Sequence, residues 1–359
     1  MGKNNIYSEI YSELLEQLQS PIYKVGDEIP SASKLAEQFS VSRPTVHKAL
    51  KQLQNEGVIE SRVGSGSFLL KKPVQDEVVP LFGLIFPLLR MEGFFGNVAK
   101  AIAEYSKRFN YNIIFGGQVP QGSIDLYSLE HMTDYYIEQN VDGVFIAPVE
   151  LASNSKTTND LILKKLEAAG IPVVVIDCAT ECFPMSFNND IISIDNFRAG
   201  YTLAEYMLKN GSDRIDFCTL PHFGQAVLLR WKGIQSALVD HGIMPQESWF
   251  HNLTMEEELG VKLKNSGASN IICSNDYVAA KVLRALQRRS FSIPKDFRIA
   301  GFDGSKLAEE IYPSITTIVQ PCHEIAVLAV QTMLARLSFP EKPVSQVLTN
   351  FSLRLGGST

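Results

Sequence analysis

From residue 81 onward, short apolar runs rich in β-branched residues recur along the chain: LFGLIF (81–86), YNIIF (111–115), DGVFIA (142–147), IPVVVID (171–177), RIDFCTL (214–220), SNIICS (269–274) and RIAGFD (298–303). Between most of them lie stretches with helical spacing, such as NVAKAIAEYSKRF and DYVAAKVLRALQRR. Strands that alternate with helices form parallel sheets with helices on both faces. Seven such units exceed one comfortable doubly wound domain, so two α/β lobes are expected. Sheets of this kind bind ligands at the carboxyl ends of their strands. That rule selects the polar residues that end the runs: Asp177, Asn275, Asp276 and Asp303. Two facing lobes would gather them around one cleft.

The first 72 residues follow a different pattern. Ile6, Ile10, Leu14 and Leu18 recur every fourth residue, an amphipathic helix. The loop PIYKVGDEIPS leads to Ser31, an N-cap for a short second helix with Leu35, Ala36 and Phe39 inward. In VSRPTVHKAL (41–50) the proline starts a third helix, because its missing N–H would be unpaired in a first turn anyway. Val46, Ala49, Leu50 and Leu53 then form one buried stripe, and Gly57 ends the helix. VIESR and SFLL, joined by VGSG, read as a hairpin. Three helices and a hairpin make an α+β winged helix-turn-helix. The charged, proline-bounded KKPVQDEVVP reads as a linker, giving 1–72 as head, 73–79 as linker and 80–359 as body.

Charge separates the two parts. Residues 1–72 carry 9 Lys and Arg against 8 Asp and Glu, leaving 24 against 31 for the rest. A mildly basic module on an acidic body suits a small nucleic-acid reader attached to a soluble effector domain. Ser42 can cap the third helix, and Arg43 projects from its N-terminus, where backbone amides and the dipole attract phosphate. Arginine is also the best bidentate reader of guanine. Thr45, His47 and Lys48 share the outer face of that helix. Gly64 and Gly66 let the hairpin turn tightly; a strand follows VGSGS, which argues against a nucleotide-binding loop.

Other classes fit poorly. The acidic, amphipathic N-terminus lacks the features of a secretion signal, and no apolar run approaches the roughly 20 residues of a membrane helix, so a cytoplasmic protein is expected. The five cysteines are odd in number and lack CxxC spacing, which points away from disulfides and metal. There is no HExxH, GxSxG or P-loop and no lysine in a cofactor motif. Asp195 and Asn196, between a strand and a helix, read as cap residues more readily than catalytic ones.

The stretch GDEIPSASKLAEQFSVSRPTVHKALKQLQNEGVIESRVGSGSFL resembles the DNA-binding domain of the GntR family over essentially all of 6–70. The resemblance implies DNA contacts from Ser31, Ser33 and Lys34 on the second helix, from Ser42, Arg43, Thr45, His47 and Lys48 on the third, and from the wing residues Gly64, Ser65 and Gly66. Ser33 and His47 stand where the family often has arginine, so operator preference should not be copied from relatives.

SIDNFRAGYTLAEYMLKNGSDRIDF, RWKGIQSAL, ICSNDYVAAKVLRAL and RIAGFDGSKLAEEIYPSITTIVQP resemble the LacI/GalR sugar-binding regulators over roughly 80–340, which are similar in turn to periplasmic sugar-binding proteins. A GntR head on a LacI-type body resembles the arabinose-repressor subgroup, AraR. The resemblance implies a two-lobed periplasmic-binding-protein-like fold with ligand contacts from Asp177, Arg230, Asn275, Asp303 and Gln320. Phe94, Phe95 and Phe223 are aromatic candidates for the apolar face of a sugar, and Arg90 and Glu92 further polar ones. The implied function is a repressor of carbohydrate-utilisation genes, a homodimer on operator DNA, controlled by a monosaccharide and needing no cofactor. An enzyme of sugar metabolism carrying a DNA-binding head is the alternative.

Overall fold

The computed structural model describes residues 3–62, 66–72, 79–86, 93–116, 126–150, 153–178, 188–253 and 259–359. The chain divides into two compact units, 1–78 and 79–359.

In the first unit, α1 (Lys3–Gln19) is followed by β1 (Glu28–Ile29), α2 (Ala32–Gln38), α3 (Arg43–Asn55), β2 (Ile59–Arg62) and β3 (Gly66–Leu69). Ile10, Leu14 and Leu18 of α1 share one core with Leu35, Val46, Ala49, Leu50 and Leu53. The hairpin gains a third strand that the sequence did not announce: β1 pairs antiparallel with β3, in the order β1-β3-β2. Gly57, at φ +66°, turns the chain out of α3. The amide of Gly57 donates to the carbonyl of Gln54, and that of Val58 to Leu53, so the last carbonyls of the helix are satisfied. Lys72 closes the other end of the unit: its ammonium donates to the carbonyls of Leu18, Gln19 and Ser20 at the C-terminus of α1.

The second unit has two lobes. The first contains β4 (Leu81–Ile85), α4 (Phe94–Glu104), α5 (Ser106–Phe109), β5 (Asn112–Ile114), α6 (Leu126–Glu138), β6 (Gly143–Ile146), α7 (Ser155–Ala168), β7 (Val173–Ile176) and β8 (Asp190–Ile194). The second contains α8 (Asn196–Lys209), β9 (Asp216–Thr219), α9 (Gln225–Asp240), β10 (Phe250–Asn252), α10 (Leu259–Asn265), β11 (Asn270–Cys273), α11 (Asp276–Gln287), β12 (Arg298–Asp303), α12 (Lys306–Glu310) and β13 (Thr316–Val319). The chain then returns to the first lobe for α13 (Cys322–Ser338) and β14 (Gln346–Thr349), and ends in the second with β15 (Ser352–Arg354).

All seven apolar runs form strands. The interior strands β6, β7, β9 and β11 are buried on both sides, as parallel sheets require, whereas β5 lies at an edge and is partly exposed. The sheets run β14-β8-β7-β6-β4-β5 and β10-β9-β11-β12-β13-β15, parallel except where β15 meets β13. In each, the order reverses once, between β4 and β6 and between β9 and β11. Three segments cross between the lobes: 195, 320–321 and 350–351. Asp190, buried at the start of β8, accepts from Arg336 of α13 and from Ser345, which anchors the returning segment to the first sheet.

Helices α8 and α9 lie backbone to backbone. A Cβ on Gly200 would overlap the carbonyl of Arg230, and one on Gly233 would overlap the carbonyl of Phe197. Glycine at both crossings brings residues of the two helices together.

Candidate functional site

The two sheet reversals are where ligands enter open α/β sheets. In the second lobe, Arg230 projects from α9 and is almost fully buried. Its Nε donates to Asn196 Oδ1 at 2.8 Å and one terminal nitrogen donates to the carbonyl of Ser274 at 2.7 Å. The guanidinium lies over the Phe302 ring, 4.6 Å from its centroid, and 4.0 Å from Asp303 Oδ1.

Asp303 ends β12 at φ +110°, a left-handed conformation that aspartate tolerates better than most residues. Gln320, in the second crossing segment, donates from Nε2 to Asp303 Oδ1 at 3.0 Å. Burial pushes the Asp303 carboxyl up to about 8, opposed by Arg230 and assisted by the nearby Asp276 charge. Asp177, at the end of β7 and also left-handed at φ +82°, is buried. Burial raises its carboxyl above the usual range against the pull of Arg230 and a hydrogen bond with Asn196. Asp177 Oδ1 and Gln320 Oε1 are both buried without a hydrogen-bond partner. Such groups are costly unless something else satisfies them.

The structure thus brings together Asp177, Arg230, Asp303 and Gln320, the last three through direct contacts. Asn275 lies beside them with its side-chain oxygen occupied: it caps α11, accepting from the Val278 amide at 2.9 Å. Its neighbour Asp276 is a strut, with its two oxygens taken by Ser305 and Thr317. Phe95 packs against Phe86 and Phe94, and Phe94 is a core residue at 7% exposure. Phe223 packs at a tilt against Phe250, their ring centroids 5.4 Å apart. Arg90 and Glu92 lie outside the described residues.

Two further residues belong to this site. Asp195 caps α8 as expected, accepting from the Arg198 amide at 2.9 Å, but Asn196, the first residue of the helix, does not cap: its side chain holds both Arg230 and Asp177. Glu150, four residues past the end of β6, reaches the N-terminus of α9 in the other lobe, where a Cβ on Gly224 would coincide with its carboxylate. Burial, with the Asp177 charge, pushes Glu150 up to about 7. The Cys178 thiol donates toward Glu150 at 3.6 Å and accepts from the Ala226 amide of α9. The strand-end rule that found Asp177 also reaches Glu150, once the apolar APV after the strand is counted as part of the run.

In the head, Ser31 caps α2, accepting from the Lys34 amide at 3.4 Å. Ser42 occupies the cap position of α3, but its hydroxyl pairs with Thr45 Oγ1 at 2.7 Å instead of capping a backbone amide. The short hydroxyl of Thr45, one turn on, offers it a closer partner. Ser33, Lys34, Arg43, His47 and Lys48 are exposed, and Val46, Ala49, Leu50 and Leu53 are buried behind them. Gly66 begins β3 at φ +100°. Gly64 and Ser65 lie outside the described residues.

Residues 6–69 match the family of bacterial regulatory proteins, gntR family, and residues 204–359 match the periplasmic binding protein-like domain. The arabinose metabolism transcriptional repressor of Geobacillus stearothermophilus is 23% identical over 339 residues, covering 91% of this chain and 90% of its own. Among solved structures, the transcription regulator CcpA of Lactococcus lactis superposes with a TM-score of 0.67 at 20% identity, over 78% of this chain and 99% of that one. A LacI family regulator from Enterococcus faecium with bound ribose gives 0.62 at 24% identity, over 78% and 98%. Head and body together define a DNA-binding transcription regulator with a two-lobed binding domain. In particular, the chain joins a GntR-type head to a periplasmic-binding-protein-like body and is similar over nine-tenths of its length to arabinose metabolism transcriptional repressors.

Proposed function

We propose that the cleft between the lobes holds a monosaccharide, bound by Asp177, Arg230, Asp303 and Gln320 with Glu150 closing from the first lobe, and that this sugar controls operator binding by the head. The observation that carries the reading is the pair of buried, unpartnered acceptors, Asp177 Oδ1 and Gln320 Oε1, on two sides of a site that already holds Arg230. Adjacent sugar hydroxyls supply the donors these oxygens lack, and Phe95 or Phe223 supplies an apolar face. Asn275 contributes through its amide nitrogen, since its oxygen caps α11.

Sugar binding favours the closed arrangement of the lobes and is coupled to DNA affinity by about 1–3 kcal/mol. The protein acts as a homodimer, so that two heads read two half-sites of a near-palindromic operator. Ser33, Lys34, Arg43, Thr45, His47 and Lys48 provide the DNA contacts, with the wing around Gly66. It works in the cytoplasm, where the DNA is; among the described residues no helix is long and apolar enough to cross a membrane. We read it as a regulator and not an enzyme, since the relatives are DNA-binding transcription regulators.

The test is a thermal-shift panel of pentoses, hexoses and deoxysugars on the full chain. A bound sugar raises the melting temperature as RT ln(1 + [L]/Kd). Asp303→Ala should abolish the shift; a shift retained in that variant would move the site elsewhere.

A further inference from the structure

We propose that Asp276 is a positioning residue of the cleft: its carboxylate gathers the turn after β12 and so holds Asp303 in the left-handed conformation that aims it at Arg230 and Gln320. The inference rests on the reading of the cleft as a sugar site and adds a residue that sets the geometry of that site without touching its ligand.

The turn needs holding. Asp303 and Gly304 are consecutive left-handed residues, at φ +110° and +68°. Glycine enters that region freely, and a Cβ at 304 would overlap Val319 of β13, but for aspartate the conformation is costly. A residue stays there only where its surroundings over-determine it.

The donors that follow Asp303 all lead to one carboxylate. The Ser305 amide and hydroxyl both donate to Asp276 Oδ2, at 2.7 and 2.9 Å. The Gly304 amide donates to Thr317 Oγ1 at 3.2 Å, and the Thr317 hydroxyl donates in turn to Asp276 Oδ1 at 2.7 Å. Asp276 is the first residue of α11 and is 1% exposed, so it ties the turn to α11 and β13 at once. The sequence makes room for it: a Cβ on Gly301, in β12, would stand 2.6 Å from Asp276 Oδ1.

This arrangement requires an acceptor on both oxygens. An ionised carboxylate accepts from all three donors, whereas an asparagine amide would turn an NH2 toward one of them. Burial pushes the Asp276 carboxyl up to about 6, and the hydrogen bonds from Thr317 and Ser305 and the charge of Arg354 oppose that rise. Arg354, on the last strand, also donates to the Ser305 carbonyl at 3.2 Å, so the turn is gripped from β15 as well. With both of its oxygens taken, Asp276 acts on a ligand through Asp303.

The experiment titrates arabinose, ribose, xylose, glucose and galactose by calorimetry into the full chain, and follows the Cα and Cβ chemical shifts of Asp303, which report its backbone conformation. Thr317→Val nearly keeps the shape of the side chain and removes the hydroxyl, whereas Thr317→Ser keeps the hydroxyl. For whichever sugar binds the unaltered protein, Thr317→Val and Asp276→Asn should each weaken binding about tenfold or more, as removal of a partner that orients a binding group does, and should move the Asp303 signals. Thr317→Ser should restore both. If Asp276→Asn fails to fold, the Thr317 pair carries the test. A role in stability alone would lower the melting temperature of Thr317→Val and leave its sugar affinity and its Asp303 signals unchanged. That result, or a Thr317→Ser no better than Thr317→Val, overturns the inference and leaves the sugar site standing. If no sugar binds the unaltered protein, the sugar reading fails, and the Asp303 signals then decide the role of Asp276 by themselves: moved in Thr317→Val and restored in Thr317→Ser they support it, and unmoved they overturn it.

Discussion

Arg230 donates from Nε to Asn196 Oδ1 at 2.8 Å, across 34 residues of sequence and between two helices whose backbones touch at Gly200 and Gly233. Asn196 also faces Asp177 of the first lobe, so one amide side chain orients the guanidinium of one lobe toward the carboxylate of the other.

Replacing Asn196 by Ala strips a buried guanidinium N–H of its acceptor. The expected cost is about 1–3 kcal/mol of stability. A weakened sugar response accompanies it, because Arg230 is no longer held toward Asp177. Chemical denaturation and a sugar titration on the same sample measure the two effects. Full stability in Asn196→Ala would mean that Arg230 finds another acceptor at no cost.

Gly224→Ala places a methyl group where the Glu150 carboxylate sits. Closure across the cleft should weaken by about 1–3 kcal/mol, the usual cost of overpacking. The loss should appear in sugar affinity and leave the far-UV circular dichroism unchanged. Glu150→Ala in the same chain should recover part of it, and a strictly additive double variant would show that the two residues do not meet.

The carboxyls of Glu150 and Asp303 are raised from ordinary values of 4.5 and 3.8 to about 7 and about 8. A folded-state value above the unfolded one means that the folded protein holds more protons between the two. Their contribution to stability is therefore complete below about pH 4 and is lost as pH rises through 7 and 8. Melting of the sugar-free protein should fall from pH 5 to pH 8, by at most about 1.4 kcal/mol per pH unit for each proton. Glu150→Gln should flatten the slope only below about pH 7, and Asp303→Asn should flatten it across the range up to about pH 8. A melting temperature that rises over this range would contradict the assignment.

Arg43 stands exposed at the start of α3. Arg43→Ala should cost about 1–3 kcal/mol of specific DNA binding. Fluorescence anisotropy on a duplex selected from random DNA by the unaltered protein reads this, and the sugar-induced thermal shift in the same variant should be intact. Operator binding equal to that of the unaltered protein would remove α3 as the reading helix.

Much of this was legible in one dimension. The seven apolar runs all became strands, and the rule that polar strand ends make ligand sites selected Asp177 and Asp303 without any relative. Arg230 was different: it lies in the middle of α9, at no strand end, and only the resemblance pointed to it. Asn196 read as a cap residue because its second partner depends on a helix crossing permitted by two glycines 33 residues apart. Glu150 was hidden by the apolar APV that separates it from its strand. The strand-end rule also could not tell Asn275 from Asp276, since which one turns inward depends on Ser305 and Thr317, residues of distant elements. The third strand of the head, only two residues long, was too short to show an alternation.

The three crossings between the lobes also set an order of synthesis. The first sheet lacks its outer strand β14, and the second its strand β15, until residues 346–354 have left the ribosome. The head, with every helix and strand within the first 78 residues, is whole long before that. A nascent chain therefore carries a finished head on an unfinished body. A chain cut short before β14 would carry a complete head and leave both sheets of the body without their last strands.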